Sequence, residues 1–256
     1  MSLLNNRIRT LVAEGKTVKG SFVFTREPAY IEVLGYAGFD FVIIDNEHSP
    51  LTVTEDIHMV RAAEIAGIEP VIRVSANEPA QILQALDVGA TTLLVPRVNT
   101  AEDAKAVVRA AKYGPLGERG LAGVVRAAKY GFIPCDEYIA AANQNIFVMV
   151  QIEEVEAVRN VDEILAVEGI DAIFIGPADL SQSMGLTGQF DHPEFCNAVT
   201  HVISRAQQAG KPVSMFFADV ASAKKWQQAG VQILTVSGDT SLLAEAAGRL
   251  LQDLQK

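Results

Sequence analysis

Short apolar runs alternate with amphipathic stretches along the whole of this chain. The runs fall at 19–24 (KGSFVF), 40–45 (DFVIID), 70–74 (PVIRV), 91–95 (TTLLV), 146–151 (IFVMVQ), 171–175 (DAIFI), 212–217 (PVSMFF) and 231–236 (VQILTV). Each is short and rich in β-branched or aromatic residues, the composition of parallel strands buried on both faces. Between them, 52–66, 79–88, 101–112, 153–167, 193–209, 219–229 and 239–254 carry apolar residues at helical spacing. In the first of these, Val53, Ile57, Val60 and Ile65 predict one buried stripe. Gly38, Gly67, Gly89, Gly169, Gly210 and Gly230 stand where helices end and suit left-handed C-caps. Eight strands, nearly all followed by a helix, predict an α/β chain closed as a (β/α)8 barrel; an open doubly wound sheet is the alternative. No Pro/Gly/Ser-rich linker divides the alternation, so 1–256 reads as a single barrel domain.

Residues 112–134 break this rhythm with Gly114, Pro115, Gly117, Gly120, Gly123, Gly131 and Pro134. The octapeptide VVRAAKYG occurs at 107–114 and again at 124–131, an offset that fits no solenoid period. The segment reads as a glycine-rich loop insertion after the fourth strand, on the face where barrels do chemistry.

Composition narrows the class further. The chain has 256 residues, 49% of them hydrophobic, which excludes intrinsic disorder. Lys+Arg 21 against Asp+Glu 31 gives −10, which argues against a nucleic-acid or anionic-membrane surface. Cys135 and Cys196 match no metal-ligand spacing and read as reduced thiols. No apolar run approaches the roughly 18 residues that span a bilayer, and no signal peptide opens the chain. A soluble, cytoplasmic protein is expected, with Met1-Ser2-Leu3 in part an appended start.

Barrel chemistry sits at the C-terminal ends of the strands. There the sequence places Asp45-Asn46-Glu47-His48, Arg73, Gln151-Ile152-Glu153 and Gly176-Pro177-Ala178-Asp179. Any one of these alone reads equally as an N-cap or a salt bridge. Together they put polar groups from four strands at one mouth. Glu153 and Asp179, carboxylates from adjacent strands with no cysteine near, suit a hard divalent ion such as Mg²⁺ or Mn²⁺, with Co²⁺ a further occupant. His48 directly follows a strand beside Asp45 and Glu47, as a general base would. Arg73 lies on an apolar strand and needs an anionic partner, either Asp45, Glu47 or a substrate carboxylate.

At these residues the chain resembles the HpcH/HpaI aldolase family of metal-dependent pyruvate aldolases. The matching blocks are GFDFVIIDNEHSP at 38–50, PVIRV at 70–74, TTLLVPRVNTAEDA at 91–104, KYGPLGERG at 112–120, VQIE at 150–153 and GPADLSQSMG at 176–185. The resemblance implies a (β/α)8 barrel of the phosphoenolpyruvate/pyruvate-binding type, with a swapped last helix in a homohexamer. It implies Glu153 and Asp179 as metal ligands, Arg73 at the pyruvate enolate, and His48 paired with Asp45 for proton transfer. Gln151 and the backbone of Gly176, Pro177 and Ala178 would meet pyruvate. Asp87 would complete a neighbouring subunit's site, and Arg119 and Arg126 would border the aldehyde entrance. Three departures bear on substrate choice: Asn46 between the Asp and Glu of the second strand, Phe22 where relatives often carry Trp, and Ser214 where Gly is frequent.

The expected reaction is reversible cleavage of a 4-hydroxy-2-oxo (2-keto-3-deoxy) acid to pyruvate and an aldehyde, in aromatic or sugar acid catabolism. A Schiff-base route needs a desolvated lysine at a strand's C-terminal end. None stands there: Lys19 and Lys211 begin strands, and Lys105, Lys112, Lys224 and Lys225 fall on helices or their ends. A phosphate-binding barrel isomerase finds weak support in the sparse glycines after strands seven and eight. A related enolate-forming lyase or decarboxylase and a carboxylate sensor are the other readings.

Overall fold

A computed structural model describes residues 4–256; Met1-Ser2-Leu3, and the appended start expected there, lie outside the described residues. Eight parallel strands close on themselves in chain order: β1 (Val18–Val23), β2 (Phe41–Asp45), β3 (Glu69–Arg73), β4 (Thr92–Val95), β5 (Phe147–Ile152), β6 (Ala172–Ile175), β7 (Val213–Phe217) and β8 (Ile233–Gly238). β1 pairs with β8 to shut the barrel, with a register shift between Gly20 and Phe22. All eight predicted strands are present, displaced by at most two residues at their ends.

The helices are α1 (Arg7–Ala13), α2 (Pro28–Tyr36), α3 (Val53–Ala66), α4 (Pro79–Asp87), α5 (Ala101–Ala111), α6 (Cys135–Asn145), α7 (Val155–Arg159), α8 (Val161–Leu165), α9 (Pro177–Ser183), α10 (Pro193–Gln208), α11 (Val220–Gln228) and α12 (Asp239–Leu254). The stretch 153–167, read as one helix, is two, α7 and α8, with Asn160 (ψ 10°) at the junction. The stripe expected on α3 is rotated. Asp56, Met59, Val60, Ala62 and Ala63 are buried, while Ile65 is 70% exposed. The inner face is made by Met59, Val60, Ala62 and Ala63, with Val53 and Ile57 only half-buried at its edge. All six predicted C-cap glycines have positive φ.

Side-chain alternation builds the mouth. Phe41, Ile43, Val71, Leu94, Phe147, Met149, Phe174 and Ile233 fill the barrel interior, and Ile8 of α1 joins them. The alternate residues, such as Val42, Ile44, Ile72, Val148 and Val150, pack under the helices. Because the side-chain period is two, the inward phase of β2 runs Phe41, Ile43, Asp45, and that of β5 runs Phe147, Met149, Gln151. Polar groups thus surface on the inside at the top of an apolar barrel.

The glycine-rich segment lies at the other end. It follows α5, not β4 itself, and so begins where a descending helix has returned to the N-terminal rim. Lys112 there donates Nζ to the carbonyls of Asn143 and Ile146 at 3.0 and 2.8 Å, beside the start of β5. The repeated octapeptide takes two conformations: its first copy ends α5, and its second forms a 3-10 helix over Arg126–Gly131 in which Lys129 and Tyr130 have positive φ.

Candidate active site

Arg73 is the hub of the mouth. Its Nε and Nη2 donate to the two oxygens of Asp45, each at 2.7 Å, and Nη1 lies 3.2 Å from Glu47 Oε2. Its guanidinium also stacks over the Phe22 ring, 4.7 Å from the centroid. A buried guanidinium with a two-point carboxylate contact is fixed in plane and direction. β2 and β3 supply this geometry directly, since Asp45 and Arg73 are register partners. Of the partners considered from sequence, Arg73 holds both Asp45 and Glu47.

His48 departs from expectation. Asp45 is committed to Arg73 and to the Glu47 backbone N–H, so it does not orient the imidazole. The carboxylate near His48 is Glu47, whose Oε2 lies 3.8 Å from Nε2. The bend after Asp45 turns residue 48 outward, and its side chain is 55% exposed at the rim. Burial raises the Glu47 carboxyl pKa, while Arg73 and His48 draw it back down.

Glu153 and Asp179 line one cavity of about 400 Å³ together with Glu47, His48, Arg97 and Glu154. Glu153 is nearly inaccessible; its Oε1 accepts from the Arg97 backbone N–H at 2.7 Å, and its Oε2 from the Gln151 amide. Burial, with Glu47 and Asp179 adding like charge, pushes the Glu153 carboxyl up to about 7. Gly176 permits this packing. A Cβ there would meet Gln151 Nε2 at 2.9 Å and Glu153 Cβ at 3.0 Å. The set is all oxygen, acidic and partly open through Asp179, the donor chemistry of a hard divalent ion with exchangeable positions. Among the described residues no group of three or more His, Cys, Asp or Glu is placed to hold a metal ion by itself. Glu153 and Asp179, two carboxylates on one cavity, fit an ion that takes its remaining ligands from solvent or substrate.

A second lobe of about 260 Å³ opens from the same place, sharing His48 and Asp179. Phe22, Phe24, Phe174 and Phe216 wall it, with Arg73, Gln151 and the Gly176–Ala178 backbone as its polar side. Gln151 Oε1 and Glu47 Oε2, both buried, accept no hydrogen bond within the described residues. The mouth thus carries one aromatic and one polar lobe on either side of Asp179.

Several expected residues lie elsewhere. Ser214 is fully buried one layer below the mouth, donating to the Ile233 carbonyl; Phe216, two residues further along the inward phase of β7, reaches the lobe. Asp87 ends α4 on the opposite rim, where it pairs with Arg119 at 2.6 Å. Arg119 is buried against Tyr113 and Tyr138, and Arg126 binds the Val88 carbonyl and Glu64. Neither arginine borders this chain's own mouth, because the loop that carries them is at the N-terminal end. Asn46 faces away from the mouth and donates to Asp56 at 2.7 Å. Glu47, one of the partners the sequence offers for Arg73, also lines the polar cavity, and Arg97 is the contributor that the sequence leaves unassigned. The strand-end position of Glu47 points to the mouth, whereas nothing in the sequence marks Arg97, which acts through a backbone N–H at φ 55°.

Comparison with known proteins places these residues in a family context. A profile of HpcH/HpaI aldolase/citrate lyase matches residues 19–246. A 2-keto-3-deoxy-L-rhamnonate aldolase of Salmonella gallinarum is 42% identical over 246 residues, covering 96% of this chain and 91% of the relative. Among solved structures, an HpcH/HpaI aldolase/citrate lyase family protein from Burkholderia cenocepacia superposes with a TM-score of 0.90 at 37% identity, covering 94% of this chain and 95% of the other. The citrate synthase SbnG does so with 0.87 at 32% identity, covering 97% of each.

Proposed function

The chain belongs to the HpcH/HpaI aldolase/citrate lyase family and is a carbon–carbon lyase, and from that premise we propose that it cleaves a sugar-derived 2-keto-3-deoxy acid to pyruvate and an aldehyde. The observation that carries the reading is the convergence of Arg73, His48, Glu153 and Asp179 on two lobes with a common boundary. The 42%-identical relative, named for 2-keto-3-deoxy-L-rhamnonate, supports a sugar acid over an aromatic-degradation product.

The enzyme depends on a divalent metal, and Glu153 and Asp179 are the residues proposed to hold it, with Mg²⁺, Mn²⁺ or Co²⁺ as the ion. When bound, such an ion supplies Lewis-acid stabilisation of negative charge on the 2-oxo acid. The rest falls to the chain. Arg73, held in plane by Asp45 and Glu47, donates N–H to the 2-oxo oxygen as enolate charge develops. The Gln151 Nε2–H not given to Glu153 and the backbone N–H groups of Ala178 and Asp179, which have no helical acceptor, are the donors offered to the substrate carboxylate. The aromatic walls keep water from the pyruvyl methylene. His48, at the boundary of the lobes and beside Glu47, takes the proton from the 4-hydroxyl as the C3–C4 bond breaks. That bond's electrons form the enolate, which is protonated at C3 to give pyruvate.

Asp87 is proposed to serve a neighbouring subunit, since in its own chain it stands on the opposite rim. Leu243, Leu250, Leu251 and Leu254 leave one face of α12 exposed, and Asp239 is the buried residue of that helix. A second copy covering this face, in the swapped homohexamer implied by resemblance, accounts for it. No described helix is long and apolar enough to cross a membrane, and a cytoplasmic location is proposed. A second reading, the same enolate chemistry on a different 2-oxo acid, draws support from the likeness to a citrate synthase. Pyruvate release measured across a panel of 2-keto-3-deoxy acids tests the assignment: turnover on a sugar acid supports it, and none on any member overturns it.

A further inference from the structure

A separate cavity of about 260 Å³ lies on the helix side of the bend that follows β2. Asp56, Val74 and Ala85 are its buried members, and Thr52, Ser75 and Gln84, all exposed, stand at its rim. Asp45 turns into the barrel, so Asn46 turns outward, to the first turn of α3. There its Nδ2 donates to Asp56 Oδ2 at 2.7 Å. That contact fixes which way the amide points. It leaves Asn46 Oδ1 and Asp56 Oδ1 buried, each without a donor among the described residues.

The charge on Asp56 is unmatched as well. The residue is fully buried, and no lysine, arginine or histidine among the described residues lines the cavity. Glu55 beside it adds like charge. Arg26 stays outside, near Glu55 at 3.7 Å and hydrogen-bonded to the Pro50 carbonyl. The first turn of α3 offers only the partial positive charge of its dipole. A buried carboxylate with no counter-charge is costly. Water donates to both free oxygens but brings no charge. A divalent ion at a single carboxylate leaves an excess of positive charge. One positive charge balances the site, and oxygen acceptors suit either a hard metal ion or an N–H donor.

We propose that this cavity is a binding site for one small monovalent cation, an alkali ion or ammonium, held between Asp56 and Asn46. The site reaches the mouth through one residue. The Asn46 N–H donates to the Arg73 carbonyl at 2.9 Å, and its neighbours Asp45 and Glu47 hold the Arg73 guanidinium. A cation fixed on Asn46 therefore braces the bend that carries Glu47 and His48, from the side opposite the substrate.

The test melts protein saturated with Mn²⁺ at about pH 8, where the Asp56 carboxyl, at about 6, is ionised. The salt is the chloride of Na⁺, K⁺, NH4⁺ or tetramethylammonium at about 100 mM. Tetramethylammonium has the same charge but neither approaches an oxygen closely nor donates to one. At least one small ion is expected to raise Tm by about 3 °C or more above the tetramethylammonium value, saturating with concentration. A response to Na⁺ or K⁺ alone identifies a coordinated metal ion, and one to NH4⁺ alone a hydrogen-bonded ammonium. Asp56→Asn, close in shape and uncharged, should abolish the rise, and Asn46→Ala should reduce it. Hydrogen exchange of the backbone amides at 46–49 should slow when the favoured ion is added. Equal Tm in all four salts means an ordered water only and overturns the proposal, as does a rise that both variants keep in full. Exchange unchanged by a bound ion overturns the bracing role.

Discussion

Arg73 and Asp45 meet through two parallel 2.7 Å hydrogen bonds at the top of adjacent strands, with the Asp45 side chain fully buried. This contact gives the mouth its rigid element. Arg73→Lys retains the charge but cannot span both Asp45 oxygens. Its kcat for pyruvate release is expected to fall about a hundredfold or more, with a native circular-dichroism spectrum. Asp45→Ala leaves the guanidinium buried with one carboxylate fewer and should lower unfolding free energy by about 3–5 kcal/mol, read by urea denaturation.

Metal removal gives the second prediction. Chelator treatment should abolish pyruvate release, and Mn²⁺ or Mg²⁺ should restore it. Borohydride with pyruvate should leave activity intact, because among the described residues no lysine lines the mouth to be trapped. Activity that survives stringent chelation would contradict the account.

His48 and Glu47 should behave as a unit in proton transfer. His48→Gln is expected to lower kcat by about a hundredfold or more, and Glu47→Gln by a smaller factor. Adding His48→Gln to Glu47→Gln should cost less than the product of the two single effects. Steady-state kinetics of the double-mutant cycle checks this, and full additivity would separate the two residues.

Asp56 supplies a pH prediction away from the mouth. It is fully buried, accepts from Asn46, and burial raises its carboxyl from 3.8 to about 6. A folded-state pKa above the unfolded one means the folded chain holds the proton more tightly. The associated stability is fully present below about pH 4 and is lost as pH rises through about 6. Asp56→Asn keeps an acceptor for Asn46 without the charge. Its unfolding free energy should decline less than that of the wild type between pH 4 and 7, in paired denaturant titrations.

Much of this architecture is legible in the sequence because fully buried strands need continuous apolar runs and helices end on left-handed glycines. Asp45, Arg73, Gln151 and Glu153 are legible for a related reason: a polar side chain at the end of such a run lies where a barrel opens. What periodicity does not convey is which of two adjacent carboxylates a side chain meets. Asp45 was expected to orient His48, yet a guanidinium on the neighbouring strand outcompetes an imidazole carried out on a bend. Ser214 lies one interior layer below the mouth, since strand register fixes depth and alternation conveys only phase. The glycine-rich loop lies at the N-terminal rim because α5 carries the chain back there before the loop begins. Arg97 was invisible, its contribution to Glu153 being made by a backbone atom.

Glu153 and Asp179 are proposed to hold one divalent ion jointly at the mouth, and the rest of the mechanism depends on it. Calorimetric titration of Mn²⁺ into chelator-stripped protein, with pyruvate present, tests it directly. One site per chain is predicted for the wild type, lost in Asp179→Asn and in Glu153→Gln. No site in the wild type, or one that both variants retain at undiminished affinity, would contradict it.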